Sequence, residues 1–141
     1  MLNTTGEVDT QILLNETFAS SLGKFTNFTT DGDVSWVNSY SCATATGYNS
    51  STKTNTDGVA YLVGPSIDLT DVDSAYVTYE YILRYNRNDA YQQLLIAPEF
   101  VPNANTVADQ PWQTLFAKHI EGSDYTTFST ALVDIPQQYM G

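Results

Sequence analysis

Apolar and polar side chains alternate most regularly over residues 75–85, AYVTYEYILRY. Successive side chains of a β-strand point to opposite faces, so a period of two with aromatic and β-branched enrichment predicts a strand. The set expected to face a core is Ala75, Val77, Tyr79, Tyr81, Leu83 and Tyr85. The opposite set, expected to face solvent with Thr78, Glu80 and Arg84 as its most polar members, also contains Tyr76 and Ile82.

Shorter segments of the same character occur along the rest of the chain. They predict strands at 11–18, 35–40, 43–48, 58–63, 91–97 and 112–120, with a last apolar segment at 128–135 that stops at Pro136. Turn-forming residues fill 30–33 (TDGD) and 49–52 (NSST), and 98–105 is predicted to be a long loop.

Helix is expected to be minor, because no segment carries an apolar stripe at helical spacing with caps. Single turns fit within 107–115 or 122–128. Many short strands joined by polar turns are typical of an all-β antiparallel β-sandwich or jelly roll. With no internal repeat and no shift in composition, the sequence predicts one domain over 1–141, with 1–10 as a flexible N-terminal segment.

The charge balance excludes one class of partner. Five Lys and Arg residues against sixteen Asp and Glu residues leave a net charge of −11 over 141 residues. This charge repels a phosphate backbone, so no nucleic-acid partner is expected. No membrane insertion is expected either, because no apolar run approaches the roughly 20 residues that a transmembrane helix needs.

Four segments occur in an order that carries a family resemblance. The chain has an acidic-x-Phe strand at Glu16-Thr17-Phe18, an acidic glycine turn leading to a Trp at 31–36 (DGDVSW), and a segment ending in Gly-Tyr at 43–48. The most recognisable stretch follows at 57–69, DGVAYLVGPSIDL, which is similar to a family pattern Asp-x-Trp-Leu-Ile-Ser-Pro-x-Ile-Asp-Leu. In these features the chain resembles the choice-of-anchor J or cleaved-adhesin family of bacterial surface modules.

The resemblance continues through the strand that begins with Trp112 and the approach to a final turn over 128–141, so it spans residues 16–141. Three departures stand out: Tyr61 where Trp is usual, Gly64 where Ser or Thr is common, and Pro136-Gln137-Gln138 in place of Leu-Ser-x. None of them changes the expected fold.

The resemblance implies a MAM-like, galactose-binding-like jelly roll with an extracellular or cell-surface location. It implies a non-catalytic adhesion or binding module whose ligand is a glycan or a surface protein. The alternative is an accessory or targeting domain of a secreted hydrolase.

Both ends of the chain bear on these expectations. No signal segment is present in residues 1–6, so any export signal is expected to lie outside this chain. The family continues through one or two more strands after the position of Gly141. The expected jelly roll therefore lacks its last strands, and two alternatives stay open: a homodimer formed through an unpaired strand edge, or a truncated domain.

Candidate catalytic chemistry is sparse. The chain holds one Cys and one His, Cys42 and His119, which is too few ligands for zinc. A papain-like pair of these two would need an activated thiol, and nothing near Cys42 supplies one. Among the acids, Glu80 and Glu99 are the candidates for a glycosidase pair, but a solvated face explains Glu80 better. No catalytic residue is expected.

Calcium is the favoured metal hypothesis, because hard oxygen ligands are abundant. Asp31 and Asp33 flank a glycine on one tight turn, and the resemblance suggests that Asp57 and Glu16 lie on nearby loops. Ordinary turn chemistry, in which the Asp side chains accept local backbone N–H groups, explains the same pattern and is favoured over calcium. No cofactor is required, and calcium would be structural.

Exposed aromatic residues are the last candidate feature. Tyrosine rings stack on sugar rings while neighbouring polar side chains bond the hydroxyls. Trp36, Tyr79 and Tyr81 are expected in the core. The tyrosines predicted to face solvent or lie in loops, and so to bind a ligand, are Tyr76, Tyr91, Tyr125 and Tyr139. The alternative for each is ordinary stabilisation of a sheet.

Overall fold

The computed structural model describes residues 11–49, 51–82, 92–118 and 128–140. Within these ranges regular structure consists of antiparallel strands and two short 3-10 helices, with no α-helix. The prediction of an all-β antiparallel fold is confirmed. The order of strands expected for a jelly roll stays a prediction.

Ten strands are present in the described residues. They are β1 Thr26–Gly32, β2 Val37–Ser39, β3 Cys42–Thr44, β4 Tyr48–Asn49, β5 Thr54–Asn55, β6 Gly58–Val63, β7 Tyr76–Tyr81, β8 Gln92–Ile96, β9 Gln113–Lys118 and β10 Ser129–Asp134. The 3-10 helices are Val107–Asp109 and Gln137–Tyr139. The strands pair antiparallel as β1–β6, β2–β3, β4–β5, β7–β10 and β8–β9.

The chain divides into two compact units. The first comprises residues 1–67 and 101–108, and the second comprises residues 68–100 and 109–141. Strands β1 to β6 belong to the first unit, and β7 to β10 belong to the second. The expectation of one domain over 1–141 stays a prediction.

The longest ladder of the first unit pairs β1 with β6. Gly32 faces Gly58 at one end and Thr26 faces Val63 at the other, with an irregularity between Thr29 and Asp31. Gly32 has a positive φ of 66°, and a Cβ there would overlap the carbonyl oxygen of Asp57. Only glycine suits this close approach of the two backbones.

Polar side chains attach β1 to the segment that follows it. Asn27 Oδ1 accepts a hydrogen bond of 2.7 Å from the Trp36 backbone N–H, and the Thr29 hydroxyl donates one of 2.7 Å to the Val34 carbonyl. The indole N–H of Trp36 donates to the Ala60 carbonyl on β6 at 3.1 Å. Trp36 is half-buried against the ladder, as expected for a core-facing residue.

The second unit is organised around β7. Its burial alternates, with residues 76, 78 and 80 exposed and 77, 79 and 81 half-buried, which confirms the predicted period of two. Its register with β10 is unbroken from Tyr76↔Asp134 to Tyr81↔Ser129. On β10, Ala131 is 4% exposed, one of two buried apolar residues in the described part of the chain; the other is Val107.

The predicted strand at 11–18 is wrong: these residues, all described, form no strand. Ile12 is 76% exposed and Leu13 is 41% exposed, so much of the apolar run is not packed as a strand in a sheet would be. The Glu16 carboxylate accepts the backbone N–H groups of Thr17 and Phe18 at 3.0 and 3.1 Å. A side chain that bonds its local backbone in this way competes with ladder pairing.

The segments at 26–32 and 43–48 also differ from expectation. Strand β1 was not predicted, and it runs through Asp31 and Gly32, which the composition had assigned to a turn. The predicted strand at 43–48 is interrupted, because β3 ends at Thr44 and β4 begins at Tyr48.

The remaining strand predictions agree with the structure within the described residues. Residues 58–63 match β6, while 35–40, 75–85, 91–97, 112–120 and 128–135 contain β2, β7, β8, β9 and β10. Residues 83–85, 91 and 119–120, the helical turn at 122–127 and the flexible segment at 1–10 lie outside the described residues. The single turn expected within 107–115 is the 3-10 helix Val107–Asp109.

Candidate functional site

One side of the β7–β10 ladder faces solvent along its whole length. We call this surface the outer face. Its residues form three cross-strand pairs: Tyr76 with Asp134, Thr78 with Leu132, and Glu80 with Thr130. All six are exposed.

Two large side chains stand on the outer face, Leu132 in its central pair and Tyr76 in the pair at one end. Tyr76 is 58% exposed and Leu132 is 68% exposed. Leu132 lies opposite Thr78, two residues along β7 from Tyr76, so the two are diagonal neighbours within reach of one another. The hydroxyl of Thr78 and the carboxylate of Asp134 border them.

The opposite side of the same strand is packed. The Phe116 ring of β9 lies 6.1 Å from the Tyr79 ring and 5.9 Å from the Tyr81 ring, measured between centroids. The Tyr79 hydroxyl donates to Gln92 Oε1 at 3.1 Å. Burial raises the pKa of Tyr79 above its ordinary value, and the neighbouring Tyr81 adds to the shift. The outer face is therefore backed by a layer of aromatic side chains.

A cleft of about 580 Å³ opens elsewhere in the second unit. The described residues that line it are Pro98, Pro111, Gln113, Gln138 and Tyr139. We call it the glutamine cleft. It shares no residue with the outer face.

Hydrogen bonds fix the polar wall of the glutamine cleft. Gln113 Oε1 accepts from Gln138 Nε2 and from the Tyr139 hydroxyl, each at 3.1 Å. Gln113 begins β9, whereas the other two lie in the 3-10 helix Gln137–Tyr139. Gln137 Nε2 donates to the Asp73 carbonyl at 2.9 Å, which ties this helix to the loop before β7.

The four tyrosines predicted to bind a ligand are placed differently. Tyr76 lies on the outer face, and Tyr139 is half-buried in the wall of the glutamine cleft. Tyr91 and Tyr125 lie outside the described residues. Whether any of them binds a ligand stays a prediction.

Sequence reasoning did not single out Leu132, Gln113 or Gln138. Ala131 and Leu132 are consecutive on β10, so their side chains point to opposite faces of the ladder. Only the observed register shows which of them faces outward. Gln113 and Gln138 are 25 positions apart. No motif links two glutamines at such a separation, and only the packing of the second unit brings them together.

The four acids predicted to hold calcium fall in two places. Asp31 pairs with Val59 near the end of the β1–β6 ladder, where Asp57 precedes Gly58 and Asp33 forms the turn. Glu16 lies beside Gly23 and accepts local backbone N–H groups. Among the described residues, no group of three or more His, Cys, Asp or Glu side chains is close enough together to hold a metal ion. Calcium binding stays a prediction.

Asp68 shows the ordinary turn chemistry that is the alternative to a metal site. Its Oδ1 accepts the Thr70 backbone N–H at 2.9 Å and the Thr70 hydroxyl at 2.7 Å. These bonds, the backbone one first, lower the pKa of Asp68. The carboxylate thereby closes the turn after the recognisable segment 57–69.

The candidate catalytic residues are only partly described. Cys42 is a half-buried free thiol at the start of β3, and His119 lies outside the described residues. Glu80 belongs to the outer face, and Glu99 is exposed in the loop after β8.

No family model, curated protein or solved structure matches this chain. The resemblance to the choice-of-anchor J family therefore stays a prediction. In the part of the chain that the structure describes, no helix has the length and apolar character needed to cross a bilayer.

Proposed function

We propose that the chain is a non-catalytic binding module of an exported bacterial surface protein, and that its outer face engages a glycan or protein ligand. The observation that carries this proposal is the adjacent placement of Tyr76 and Leu132, both more than half exposed, on a regular antiparallel ladder. Exposed apolar side chains that adjoin one another with a polar rim are typical of interaction surfaces.

The chemistry of the outer face suits either ligand. The ring of Tyr76 offers a flat surface for a sugar ring, and Thr78 and Asp134 offer groups that bond hydroxyls. For a protein ligand, Tyr76 and Leu132 supply adjacent contact area that binding would bury, and the polar residues border it. Because side chains of β7 pack against Phe116 behind the face, the surface is held in place before the ligand arrives.

The surface location rests on the family resemblance and is consistent with the net charge of −11. The same resemblance supports calcium at the Asp31 turn as a structural ion. A dimer formed through an unpaired strand edge remains part of the proposal, since β10 has one ladder partner among the described residues. Light scattering that finds only a compact monomer at high concentration would remove the dimer.

The proposal is tested by screening the purified protein on a glycan array and against extracellular-matrix proteins, once with calcium and once with a chelator. Tyr76→Ala is expected to weaken the binding found by about tenfold, through loss of the exposed aromatic contact. Tyr48→Ala is the matched control, because Tyr48 is 50% exposed on a strand of the other unit. Binding to neither class, or equal binding by both variants, would contradict the proposal.

Calcium is tested separately by thermal unfolding. If the acids at the turn hold a structural ion, the midpoint rises with calcium concentration, since a ligand that binds only the folded state stabilises it. Asp33→Asn should remove this dependence. An identical midpoint in calcium and in chelator would exclude the ion.

A further inference from the structure

The glutamine cleft has a chemistry of its own. Two prolines and a tyrosine ring give it apolar walls, and the Gln138 amide and the Tyr139 hydroxyl both donate to Gln113 Oε1. Its volume falls within the roughly 300–1,000 Å³ that small-molecule sites occupy. From these features we infer that the cleft binds a neutral saccharide unit, with Gln113 and Gln138 bonding its hydroxyls and Tyr139 contacting its ring.

The absence of charge points to a neutral ligand. No Asp, Glu, Lys, Arg or His lines the described part of the cleft, although the chain carries 21 charged residues, five basic and sixteen acidic. Among the described residues, a carboxylated or sulfated sugar in the cleft would meet no cation to pair with its charge, within a protein of net charge −11. An uncharged, hydroxyl-rich ligand carries no such penalty.

The hydrogen bonds already made leave a defined set of groups for the ligand. Gln113 Oε1 is occupied by two donors, so its Nε2 group is oriented as a donor toward other partners. Gln138 uses its Nε2 in the same contact, which leaves its Oε1 as an acceptor. One donor and one acceptor on neighbouring amides match adjacent hydroxyls of a pyranose ring, each of which both donates and accepts.

The walls of the glutamine cleft are held by packing behind them. The Phe100 and Trp112 rings pack edge to face, with centroids 5.3 Å apart. Phe100 lies two residues after Pro98 and Trp112 follows Pro111, so this contact connects the segments that carry the two prolines. Proline also fixes φ at both walls. A site held in this way loses little conformational entropy when a ligand binds.

The inference goes beyond the proposed function, because the cleft shares no residue with the outer face, and it rests on that function only in assuming a binding module. It is tested by saturation-transfer NMR of the whole protein with the neutral disaccharides lactose, maltose, cellobiose and chitobiose, and with the acidic trisaccharide sialyllactose. At least one neutral disaccharide is expected to receive saturation, and sialyllactose is expected to receive less.

Three variants assign the binding to the cleft. Gln113→Ala is expected to weaken disaccharide affinity by about tenfold, because a donor to the ligand and the acceptor that orients Gln138 and Tyr139 are both lost. Tyr139→Phe, which keeps the ring, should give a smaller loss. Gln93→Ala is the control, since Gln93 is an exposed glutamine on β8 that does not line the cleft.

Several results would overturn the inference that the cleft binds a neutral saccharide. Absence of binding to every neutral disaccharide, equal binding of sialyllactose, or unchanged affinity in Gln113→Ala each excludes the saccharide site. Binding of a proline-rich peptide to the same residues in place of a sugar excludes it as well. Disaccharide binding that is lost in Tyr76→Ala but kept in Gln113→Ala would support the outer face and overturn the cleft, so the two proposals fail separately.

Discussion

The Tyr79 hydroxyl donates a hydrogen bond of 3.1 Å to Oε1 of Gln92. The two residues belong to different ladders of the second unit, since β7 pairs with β10 and β8 pairs with β9. The ring of Tyr79 also meets the Phe116 ring edge to face at 6.1 Å. One side chain thus joins the two ladders by a polar and an aromatic contact, directly behind the outer face.

Replacing Tyr79 with Phe should destabilise the fold. The change keeps the aromatic contact and removes the donor to a half-buried acceptor, so the expected loss is about 1–3 kcal/mol in the free energy of unfolding. Urea unfolding measures it. Tyr76→Phe removes a hydroxyl from an exposed ring and should stay within about 0.5 kcal/mol of wild type. If the two variants lose equal stability, the Tyr79 contact does not join the ladders.

The raised pKa of Tyr79 makes a prediction about alkaline pH. Burial holds the phenol neutral, so the folded state keeps its proton to a higher pH than the unfolded state does. The stability that the fold gains from a neutral Tyr79 is complete below the unfolded pKa of about 10 and is lost as pH rises through the folded pKa.

Urea unfolding of wild type and Tyr79→Phe across the alkaline range checks this sign. The stability difference between the two should shrink as the pH rises above about 10, because only wild type carries this ionising group. Parallel loss of stability in both proteins would show that Tyr79 is not responsible.

Strand prediction succeeded where side-chain polarity reflects burial. On β7 the alternation of 76–81 in the sequence matches the alternation in exposure, because one side of the strand packs on Phe116 and the other faces solvent. It failed on β1, whose sequence TNFTTDG is mostly polar. There Asn27 and Thr29 form hydrogen bonds with the backbone of the following segment. Because these residues are held by polar contacts and not by apolar packing, the strand has no hydrophobic pattern in its sequence.

The strand predicted at 11–18 is absent for a related reason: there too, the polarity of the side chains does not reflect their burial. Ile12 and Leu13 give that segment an apolar pattern, yet they are 76% and 41% exposed. Local bonds from the Glu16 carboxylate compete with an extended strand there. The pattern alone does not reveal whether a partner strand exists.

The two candidate surfaces, the outer face and the glutamine cleft, also differ in how far the sequence predicts them. Tyr76 was predicted to face solvent because its position follows from the period of β7. The glutamine cleft was not predicted, because Gln113 and Gln138 meet only through the docking of the 3-10 helix on β9. Contacts between residues far apart in sequence leave no periodic signal.

Neighbouring positions on β10 offer a test of the observed register. Ala131 is 4% exposed and Leu132 is 68% exposed. Ala131→Leu should destabilise by about 1–3 kcal/mol through overpacking of the side that faces Tyr79. Leu132→Ala, on the outer face, should change stability by no more than about 0.5 kcal/mol. The reverse order of effects in urea unfolding would mean that the strand is shifted by one residue.

Gly32 tests the close approach of β1 to β6. Its φ of 66° is the left-handed region, which costs a residue with a Cβ roughly 1–2 kcal/mol. Gly32→Ala also places that Cβ against the Asp57 carbonyl oxygen, so the expected loss exceeds about 1 kcal/mol. Asp33→Ala, at the exposed neighbouring position, is the control and should lose less when both variants are measured in chelator, where no calcium contributes. Equal thermal midpoints for the two variants would show that the turn has another conformation.

The outer face is the central claim, and the most direct measurement compares ligand affinity among three proteins. They are wild type, the double variant Tyr76→Ala with Leu132→Thr, and the control Tyr48→Ala, each titrated with the ligand found on the array by surface plasmon resonance. We predict that the double variant loses at least about tenfold in affinity while its unfolding midpoint and that of the control stay near wild type. Undiminished affinity in the double variant, with its fold intact, would show that the ligand binds elsewhere and would contradict the account.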